Sequence, residues 1–304
     1  MSKTYLALVR HGVTDWNLEG RAQGHTNIPL NAEGRRQAEA VAVRLASEPW
    51  DVIYSSPLLR ARATAQAICR RSGHELLLEE QLVERDMGAA EGTIEPERQL
   101  RWPGMTWNSL PGLESNEQLA NRALRVFTEI AQRHEGKRVI CVSHGALINA
   151  FLRAIVPPSA KPPSLTAQRN TAITGVWYDA LRFEQAGQPD FRHLLIDGVE
   201  YTGEKGRLAH EANRVGLPGV HLPPAEAEAF IHHATAVESA WVDSQLVGYA
   251  RAFSDRVLFG YVDVIYTSPG YDHVRERLIE RLGERFPGIN LKVLPTLLGE
   301  RSGA

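Results

Sequence analysis

The chain has 304 residues, a length that favours two domains, although one large domain is also compatible with it. Its 34 basic and 36 acidic residues give a net charge of −2, which argues against a nucleic-acid-binding or anionic-membrane-binding surface, because either needs a basic excess. Two cysteines are too few for a disulfide framework, and no apolar run approaches membrane-spanning length. We therefore expect a cytoplasmic protein without a membrane partner.

Strands and helices alternate along the first two thirds of the chain. The strands are expected at residues 5–9, 51–54, 74–80, 138–142, 171–179 and 191–197, and the helices at about 32–46, from 57 onward, at 115–136 and from 143 to the prolines at 157–158. Asn31 and Ser56 are predicted N-caps, and Ser115 with Gln118 has capping-box spacing. The alternation predicts an α/β fold, with a mostly parallel sheet flanked by helices on both faces.

Two segments lack a periodic pattern. Residues 93–113 are rich in Pro, Gly and Trp and predict an excursion without regular structure, and residues 157–164 predict a loop.

A second, smaller α+β domain is predicted after a boundary at residue 206, which divides the chain into 1–206 and 207–304. Its pattern predicts a helix at 223–234, strands at 237–242, 245–253 and 256–267, a helix at 271–285 and a strand at 289–294. Turn residues separate the three strands, which favours local antiparallel pairing.

Polar side chains follow several strands of the first domain. Arg10 and His11 end the first strand, Arg60 comes after the second, Glu84 lies further on, and His144 follows the strand at 138–142. The carboxyl ends of parallel strands meet at one edge of a sheet, so we expect these side chains to converge. Two guanidinium groups and a helix N-terminus at one place predict a pocket for a phosphate dianion.

Residues 4 to about 200 resemble the histidine phosphatase superfamily, which includes cofactor-dependent phosphoglycerate mutases and many phosphatases. The resemblance is carried by the segments LVRHGVTDWN, GHTNIPLNAEGRRQA, SSPLLRARATA, LVERDMGAAEG, PGLES, VSHGALI and NTAIT, in that order. It implies a phosphoglycerate mutase-like fold and phosphoryl-transfer chemistry that needs neither a metal ion nor a cofactor.

The resemblance also implies roles for single residues. His11 is expected to be the nucleophile that forms a phosphohistidine, and its other ring nitrogen needs an acceptor, for which we expect a backbone carbonyl near Gly12. Arg10, Arg60 and His144 are expected to hold the phosphoryl oxygens, with His144 cationic when phosphate is bound.

Glu84 is expected to protonate the leaving oxygen and then activate water. Glu91 is the alternative, and it could instead anchor the turn at 91–93. Asn17, Gln23 and Gly24 complete the expected substrate-binding set. Four other histidines show no metal-site spacing and are predicted to have surface or local packing roles, namely His25, His232, His233 and His273.

Glu84 and His144 are separated by only sixty residues, roughly half of which a helix fills. The family's mutases carry a longer insertion here, which keeps water out, so we expect a phosphatase of small phosphomonoesters. Alternatives are a mutase, a phosphate-binding protein without turnover, and a metallophosphoesterase. Trp102, Met105 and Trp107 could line the leaving-group site or pack the excursion onto its own domain.

Residues 208–304 resemble the strand-rich half of GNAT-type acetyltransferases. Where that family has a glycine-rich acyl-CoA loop, this chain has DHVRERL without glycine. We therefore expect a degenerate module that shapes the cleft or forms a homodimer, with a working transferase as the alternative.

Overall fold

The computed structural model describes residues 2–155, 169–186, 190, 192–196, 199–203, 205–215, 217–218, 220, 222–243, 245–254, 260–286, 289 and 291–293. The chain divides into two compact units, Met1–Trp16 with Arg21–His193, and Asn17–Gly20 with Leu194–Ala304. The first unit ends at His193, before the boundary predicted at residue 206. The difference arises because a strand at Val199–Thr202 pairs with the sheet of the second unit.

The first unit contains a mixed sheet. Its strands in the described residues are β1 (Thr4–Arg10), β2 (Val52–Ser55), β3 (Leu76–Leu78), β4 (Arg138–Ser143), β5 (Ile173–Tyr178) and β6 (Phe183–Gln185). Their order in the sheet is β3-β2-β4-β1-β5-β6. The pairs among β1 to β4 are parallel, whereas β5 is antiparallel to β1 and to β6. The predicted, mostly parallel sheet is confirmed.

Helices cover both faces of this sheet. The helices between residues 15 and 155 are α1 (Asp15–Glu19), α2 (Ala32–Leu45), α3 (Leu59–Ser72), α4 (Glu95–Arg101), α5 (Asn116–Arg133) and α6 (Gly145–Ile155). The helices that pack on the sheet are α2 and α3 on one face and α5 and α6 on the other. Side chains of β1 alternate between two cores, with Leu6 and Leu8 packed with α5 and α6, and Ala7 and Val9 packed with α2 and α3. This period of two is what a strand buried on both faces requires.

The predicted caps have different outcomes. Asn31 caps α2 by accepting a hydrogen bond from Gly34 N at 2.8 Å, and Ser115 with Gln118 forms the capping box of α5. The prediction that Ser56 caps the next helix is wrong, because α3 begins at Leu59 with Leu58 at its N-cap.

The excursion at 93–113 is more regular than its composition predicts. It contains α4 and a 3₁₀ turn at Trp107–Ser109. Glu97 accepts a hydrogen bond from Ile94 N at 3.1 Å and so stabilises the first turn of α4, where Pro96 is tolerated. The prolines at 157–158 and the predicted loop at 157–164 lie outside the described residues.

The second unit contains the second sheet and flanking helices. Its elements are β7 (Leu195–Ile196), β8 (Val199–Thr202), α7 (Lys205–Val215), α8 (Pro224–His232), β9 (Ala236–Val242), β10 (Gln245–Ser254), β11 (Gly260–Thr267), α9 (Val274–Glu284) and β12 (Leu291–Val293). Neighbours in the order β12-β11-β10-β9-β8-β7 pair antiparallel, except that β12 is parallel to β11. The predicted α+β character is confirmed.

One strand in this region is shorter than predicted. The strand expected at 191–197 is a 3₁₀ turn at Arg192–Leu194 followed by the two residues of β7, and β7 belongs to the second sheet. No helix in the described part of the chain is both long enough and apolar enough to cross a membrane.

Candidate active site

The ends of three parallel strands bring the predicted site residues together. β1 and β4 end side by side, with Arg10 opposite Ser143, and β2 ends beside β4. Backbone hydrogen bonds continue past the strands, because His11 N donates to Ser143 O at 3.0 Å and Ser56 N donates to Val142 O at 3.0 Å. The loops that leave these strands therefore share one edge of the sheet.

The two histidines face each other at this edge. The ring centroids of His11 and His144 are 5.1 Å apart, and the two residues are 2% and 0% exposed. His11 Nδ1 lies 2.7 Å from Gly12 O. A carbonyl oxygen only accepts, so Nδ1 carries the proton and donates it, and Nε2 keeps a lone pair. The expected backbone carbonyl at Gly12 is confirmed.

His144 is oriented by a serine rather than by a carbonyl. Its Nε2 lies 2.8 Å from Ser56 Oγ, and Ser56 Oγ also accepts a hydrogen bond from Leu58 N at 3.3 Å. Among the described residues, the buried Nδ1 of His144 has no hydrogen-bond partner. Ser56, which the sequence pattern placed at a helix cap, is thus a part of the site.

Burial and nearby cations keep both imidazoles uncharged. Burial lowers the pKa of His11 well below its ordinary value, and the guanidinium groups of Arg60 and Arg10 lower that pKa further. The pKa of His144 is lowered by burial first, and then by Arg60, by His11 and by Arg10. Both rings are neutral at pH 7 in the unliganded site, and a cationic His144 in the presence of phosphate stays a prediction.

Arg60 is held inside the site by backbone carbonyls. It is 0% exposed, and its Nη1 and Nη2 donate to Thr26 O at 2.9 Å and to Gly24 O at 2.8 Å. Burial lowers its pKa to about 10, so the guanidinium keeps its charge at pH 7. In the described part of the chain, its Nε has no hydrogen-bond partner.

Arg10 extends from the end of β1 to the start of α6. A Cβ atom at Gly145 would lie 3.4 Å from Arg10 Nε, so the Arg10 side chain packs directly on the first residue of that helix. Both arginines therefore reach the edge where the two imidazoles meet.

Glu91 fixes the loop that binds Arg60. Its Oε1 accepts a hydrogen bond from His25 N at 2.6 Å, and its Oε2 accepts one from Thr26 N at 3.0 Å. Gly24 has a φ of +49°, and a Cβ atom there would lie 2.0 Å from Glu91 Oε1. Glycine is therefore required at this close approach. The Glu91 side chain therefore anchors the loop at 24–26, and the expectation that it anchors the turn at 91–93 is wrong.

Glu84 binds the N-terminus of α6. Its Oε2 accepts a hydrogen bond from Ala146 N at 3.2 Å, and its Oε1 accepts hydrogen bonds from Leu147 N at 3.3 Å and Arg85 N at 2.8 Å. We expected these helix amides to face phosphate. The amides instead bind the Glu84 carboxylate, which places this group at the start of the helix that follows His144.

Gln23 and Asn17 are two further predicted binding residues. Gln23 is buried, and its Oε1 accepts a hydrogen bond from Thr14 Oγ1 at 2.9 Å. Asn17 lies in α1 and is partly exposed. Contact of Asn17 and Gln23 with substrate stays a prediction.

Two residues that we did not single out support the nucleophile loop. Thr64 Oγ1 accepts a hydrogen bond from Gly12 N at 3.0 Å. Asn170 Nδ2 donates to His11 O at 2.8 Å. Both are buried, and both lie in segments of the family resemblance, SSPLLRARATA and NTAIT, which was the available signal.

The tryptophans of the excursion pack within their own segment. The Arg98 guanidinium carbon lies 4.8 Å from the centroid of the Trp107 ring, and that of Arg101 lies 5.5 Å from the Trp102 ring. This favours the local-packing alternative. The described residues contain no cluster of His, Cys, Asp and Glu that could hold a metal ion.

Comparison with known proteins agrees with this geometry. The sequence model of the histidine phosphatase superfamily (branch 1) matches residues 6–187. The chain is 40% identical over 166 residues to a Bacillus subtilis protein named "Uncharacterized phosphatase PhoE", which covers 55% of this chain and 83% of that protein. It is 34% identical over 209 residues to the metal-independent phosphoserine phosphatase of Arabidopsis thaliana, with 60% and 85% covered.

A solved structure gives the same result. The phosphoserine phosphatase of Entamoeba histolytica, in complex with 3-phosphoglyceric acid, matches with a TM-score of 0.54 and 31% identity, covering 63% of this chain and 100% of that chain. The family match spans more than half of the sequence and includes both histidines, both arginines and Glu84. The chain belongs to the histidine phosphatase superfamily.

Proposed function

We propose that this protein is a metal-independent phosphomonoesterase that acts through a phosphohistidine on His11. The observation that carries the proposal is the state of the His11 ring, which is buried and neutral and has its Nδ1 proton bound to Gly12 O at 2.7 Å. The free lone pair is then on Nε2, next to the charged Arg60. A neutral nucleophile beside fixed cations is suited to attack on a phosphate ester dianion.

The reaction has two steps that balance in atoms and charge. His11 Nε2 attacks phosphorus and forms a P–N bond while the P–O bond to the leaving group breaks, and the Glu84 carboxyl donates its proton to that oxygen. Water then attacks the phosphohistidine, Glu84 takes a proton from the water, and the P–N bond breaks to release phosphate. Arg10, Arg60 and His144 hold the phosphoryl oxygens in both steps.

Hydrolysis is favoured over mutase chemistry by the short cover of the site. The excursion at 93–113 contains only α4 and one 3₁₀ turn, and its two tryptophans pack locally. Water can then reach the phosphohistidine. Relatives that are named phosphatases support the same choice. The free thiols of Cys69 and Cys141 support a cytoplasmic location.

Phosphate release from a panel of phosphomonoesters tests the proposal. The panel contains phosphoserine, 3-phosphoglycerate and p-nitrophenyl phosphate, each measured with EDTA and with vanadate. We expect release that EDTA does not change and that vanadate inhibits. Isomerisation of 3-phosphoglycerate without release would show a mutase, and loss of activity in EDTA would show a metal-dependent enzyme.

Substitution of the two central residues gives the first prediction. His11→Ala removes the nucleophile, so phosphate release should disappear. Glu84→Gln removes the transferable proton, so release from an alkyl ester should slow by roughly a hundredfold. His210→Ala, at an exposed position, is the control and should keep full activity. Normal release by His11→Ala would contradict the mechanism.

A further inference from the structure

A single guanidinium lies behind Glu84 and binds the backbone that carries it. Arg122 projects from α5, and its Nη1 donates to Gln81 O at 2.9 Å and to Val83 O at 2.8 Å. Its Nη2 donates to Glu84 O at 3.1 Å. Three carbonyls of one short segment thus converge on one planar group.

Glu114 uses the remaining donors of Arg122. Arg122 Nε donates to Glu114 Oε1 at 2.9 Å, and Nη2 donates to Glu114 Oε2 at 2.7 Å. Both side chains are nearly buried, with 13% and 14% exposed. A guanidinium has five N–H groups, and these five hydrogen bonds occupy all of them. A bidentate pair with every donor used fixes the plane of the group.

Glu114 is itself bound to the residues that follow Glu84. Its Oε2 accepts a hydrogen bond from Asp86 N at 3.2 Å, and its backbone carbonyl accepts one from Arg85 Nε at 2.7 Å. The backbone on both sides of Glu84 is therefore fixed by the Arg122–Glu114 pair. The Glu84 carboxylate is fixed separately, by the amides at the start of α6.

We propose that Arg122, together with Glu114, is a positioning residue for proton transfer by Glu84. Among the described contacts, the pair binds the backbone around Glu84 and not the side chains of His11, Glu84 or His144; it sets the point from which the carboxyl reaches the leaving oxygen. A displacement of about 1 Å in a reacting group can cost on the order of a hundredfold in rate. The inference rests on the proposed function, because it assigns a role in the acid step of that reaction.

Arg122→Lys is the informative substitution. Lysine keeps the positive charge near Glu114, but its ammonium has three donors on one atom and cannot bind three carbonyls and a carboxylate in one plane. Arg125→Lys is the matched control, since Arg125 lies on the same helix and its Nη2 binds only the side-chain Oε1 of Gln81, at 3.0 Å, among the described contacts.

The measurement compares two substrates in each variant. Release from p-nitrophenyl phosphate needs little help from an acid, because its leaving group is a stable anion, whereas an alkyl phosphomonoester needs the Glu84 proton. The two substrates are compared by kcat/KM, which covers the steps up to formation of the phosphohistidine and so excludes the later attack of water that is common to both. The ratio of the two kcat/KM values does not depend on the folded fraction of a variant. We expect Arg122→Lys to lower the alkyl rate by about tenfold more than the aryl rate, as Glu84→Gln does more strongly, while Arg125→Lys leaves the ratio unchanged.

The outcomes separate the two claims. An equal loss for both substrates in Arg122→Lys, or no loss, would overturn the positioning role alone if wild type and Glu84→Gln behave as expected. If the wild-type protein releases phosphate from neither substrate, the proposed function fails and the positioning role fails with it.

Discussion

Burial separates the ionisable groups of the site into neutral and charged ones. His11 and His144 lose their protons first because burial disfavours the charged rings, and then because Arg60 and Arg10, which would attract a phosphate, repel a proton on them. Arg60 keeps its proton although burial lowers its pKa to about 10. A neutral nucleophile and a cationic binding site thus coexist at neutral pH. An imidazole in water, with a pKa of about 6.5, would still be partly protonated at pH 7.

The hydroxyl of Ser56 orients the His144 ring, and its removal should lower the activity. Ser56→Ala removes the hydroxyl that binds His144 Nε2 at 2.8 Å, so the ring loses its fixed orientation towards the phosphoryl group. Loss of one buried hydrogen bond corresponds to roughly a three- to tenfold fall in kcat/KM. Ser72→Ala, whose hydroxyl donates to Ile68 O, is the control for the same change away from the site. Equal kcat/KM in the two variants would show that Ser56 does not orient His144.

Residues at strand ends could be predicted from the sequence, and residues that act from a helix could not. Arg10, His11 and His144 directly follow apolar strands, and parallel strands end at one edge. Arg122 lies beside the apolar stripe of an amphipathic helix, where a charged residue is ordinary. Ser56 precedes a proline, and a serine at that position is typical of a helix N-cap. The sequence therefore does not indicate its contact with His144.

Two glycines allow α2 to pack directly on the loop that carries His11. A Cβ atom at Gly34, in the first turn of α2, would lie 2.0 Å from Val13 O, and one at Gly12 would lie 2.4 Å from Gly34 O. These distances leave no space for any side chain at either position. The helix therefore fixes the backbone that carries His11.

Two glycine substitutions in helices should have opposite effects. Gly34→Ala forces the helix and the loop apart, so we expect the free energy of unfolding to fall by about 1–3 kcal/mol and the activity to fall as well. Gly283→Ala in α9 meets no atom within 4 Å, and should raise the free energy of unfolding by about 0.5–1 kcal/mol. Denaturant unfolding of both variants measures this. A stabilising Gly34→Ala would contradict the packing.

Elements with strong local signals were predicted well. α2 and α5 have polar caps and apolar stripes, and their bounds agree with the predictions within a few residues. β6 and β7 are three and two residues long, too short for a period of two to be seen. The antiparallel position of β5 is set by its pairing with β1, in a register that runs from Thr4↔Tyr178 to Val9↔Ile173. No local pattern encodes pairing between segments so far apart in the chain.

Three histidines with lowered pKa values, the buried His11 and His144 and the partly exposed His193, give the first unit a pH-dependent stability. His193 Nε2 lies 3.0 Å from Thr171 Oγ1, and burial lowers the pKa of His193 to about 4. The pKa values of His11 and His144 are lowered as well. Below pH 6.5 the unfolded chain therefore binds protons that the folded protein does not bind, so stability is present above about pH 6.5 and is lost as pH falls.

The free energy of unfolding should fall with a slope of up to about 1.4 kcal/mol per pH unit for each such histidine between about pH 6.5 and 4. Urea unfolding at several pH values measures the slope. His193→Gln should reduce it by the share of one histidine, and His210→Gln, at an exposed position, should not change it. A stability that is constant or rises towards pH 5 would contradict the neutral state of these rings.

The family match includes the first of the two sheets and ends before the second. The family match ends at residue 187, and the second sheet begins at Leu195. The similarity of this second unit to GNAT-type acetyltransferases stays a prediction. Calorimetric titration with acetyl-CoA distinguishes the two expectations: tight binding would contradict a degenerate module.

Trapping of the phosphoryl group on the protein identifies the residue that acts as the nucleophile. Glu84→Gln should accept the phosphoryl group from p-nitrophenyl phosphate and release it slowly, because it lacks the base that activates water. Alkaline quenching followed by mass spectrometry of the peptides locates the group. We predict a phosphoryl group on the peptide that contains His11, and none after the additional substitution His11→Ala. A phosphoryl group on another residue would contradict a phosphohistidine on His11. So would the absence of any phosphoryl group from a variant that still releases phosphate.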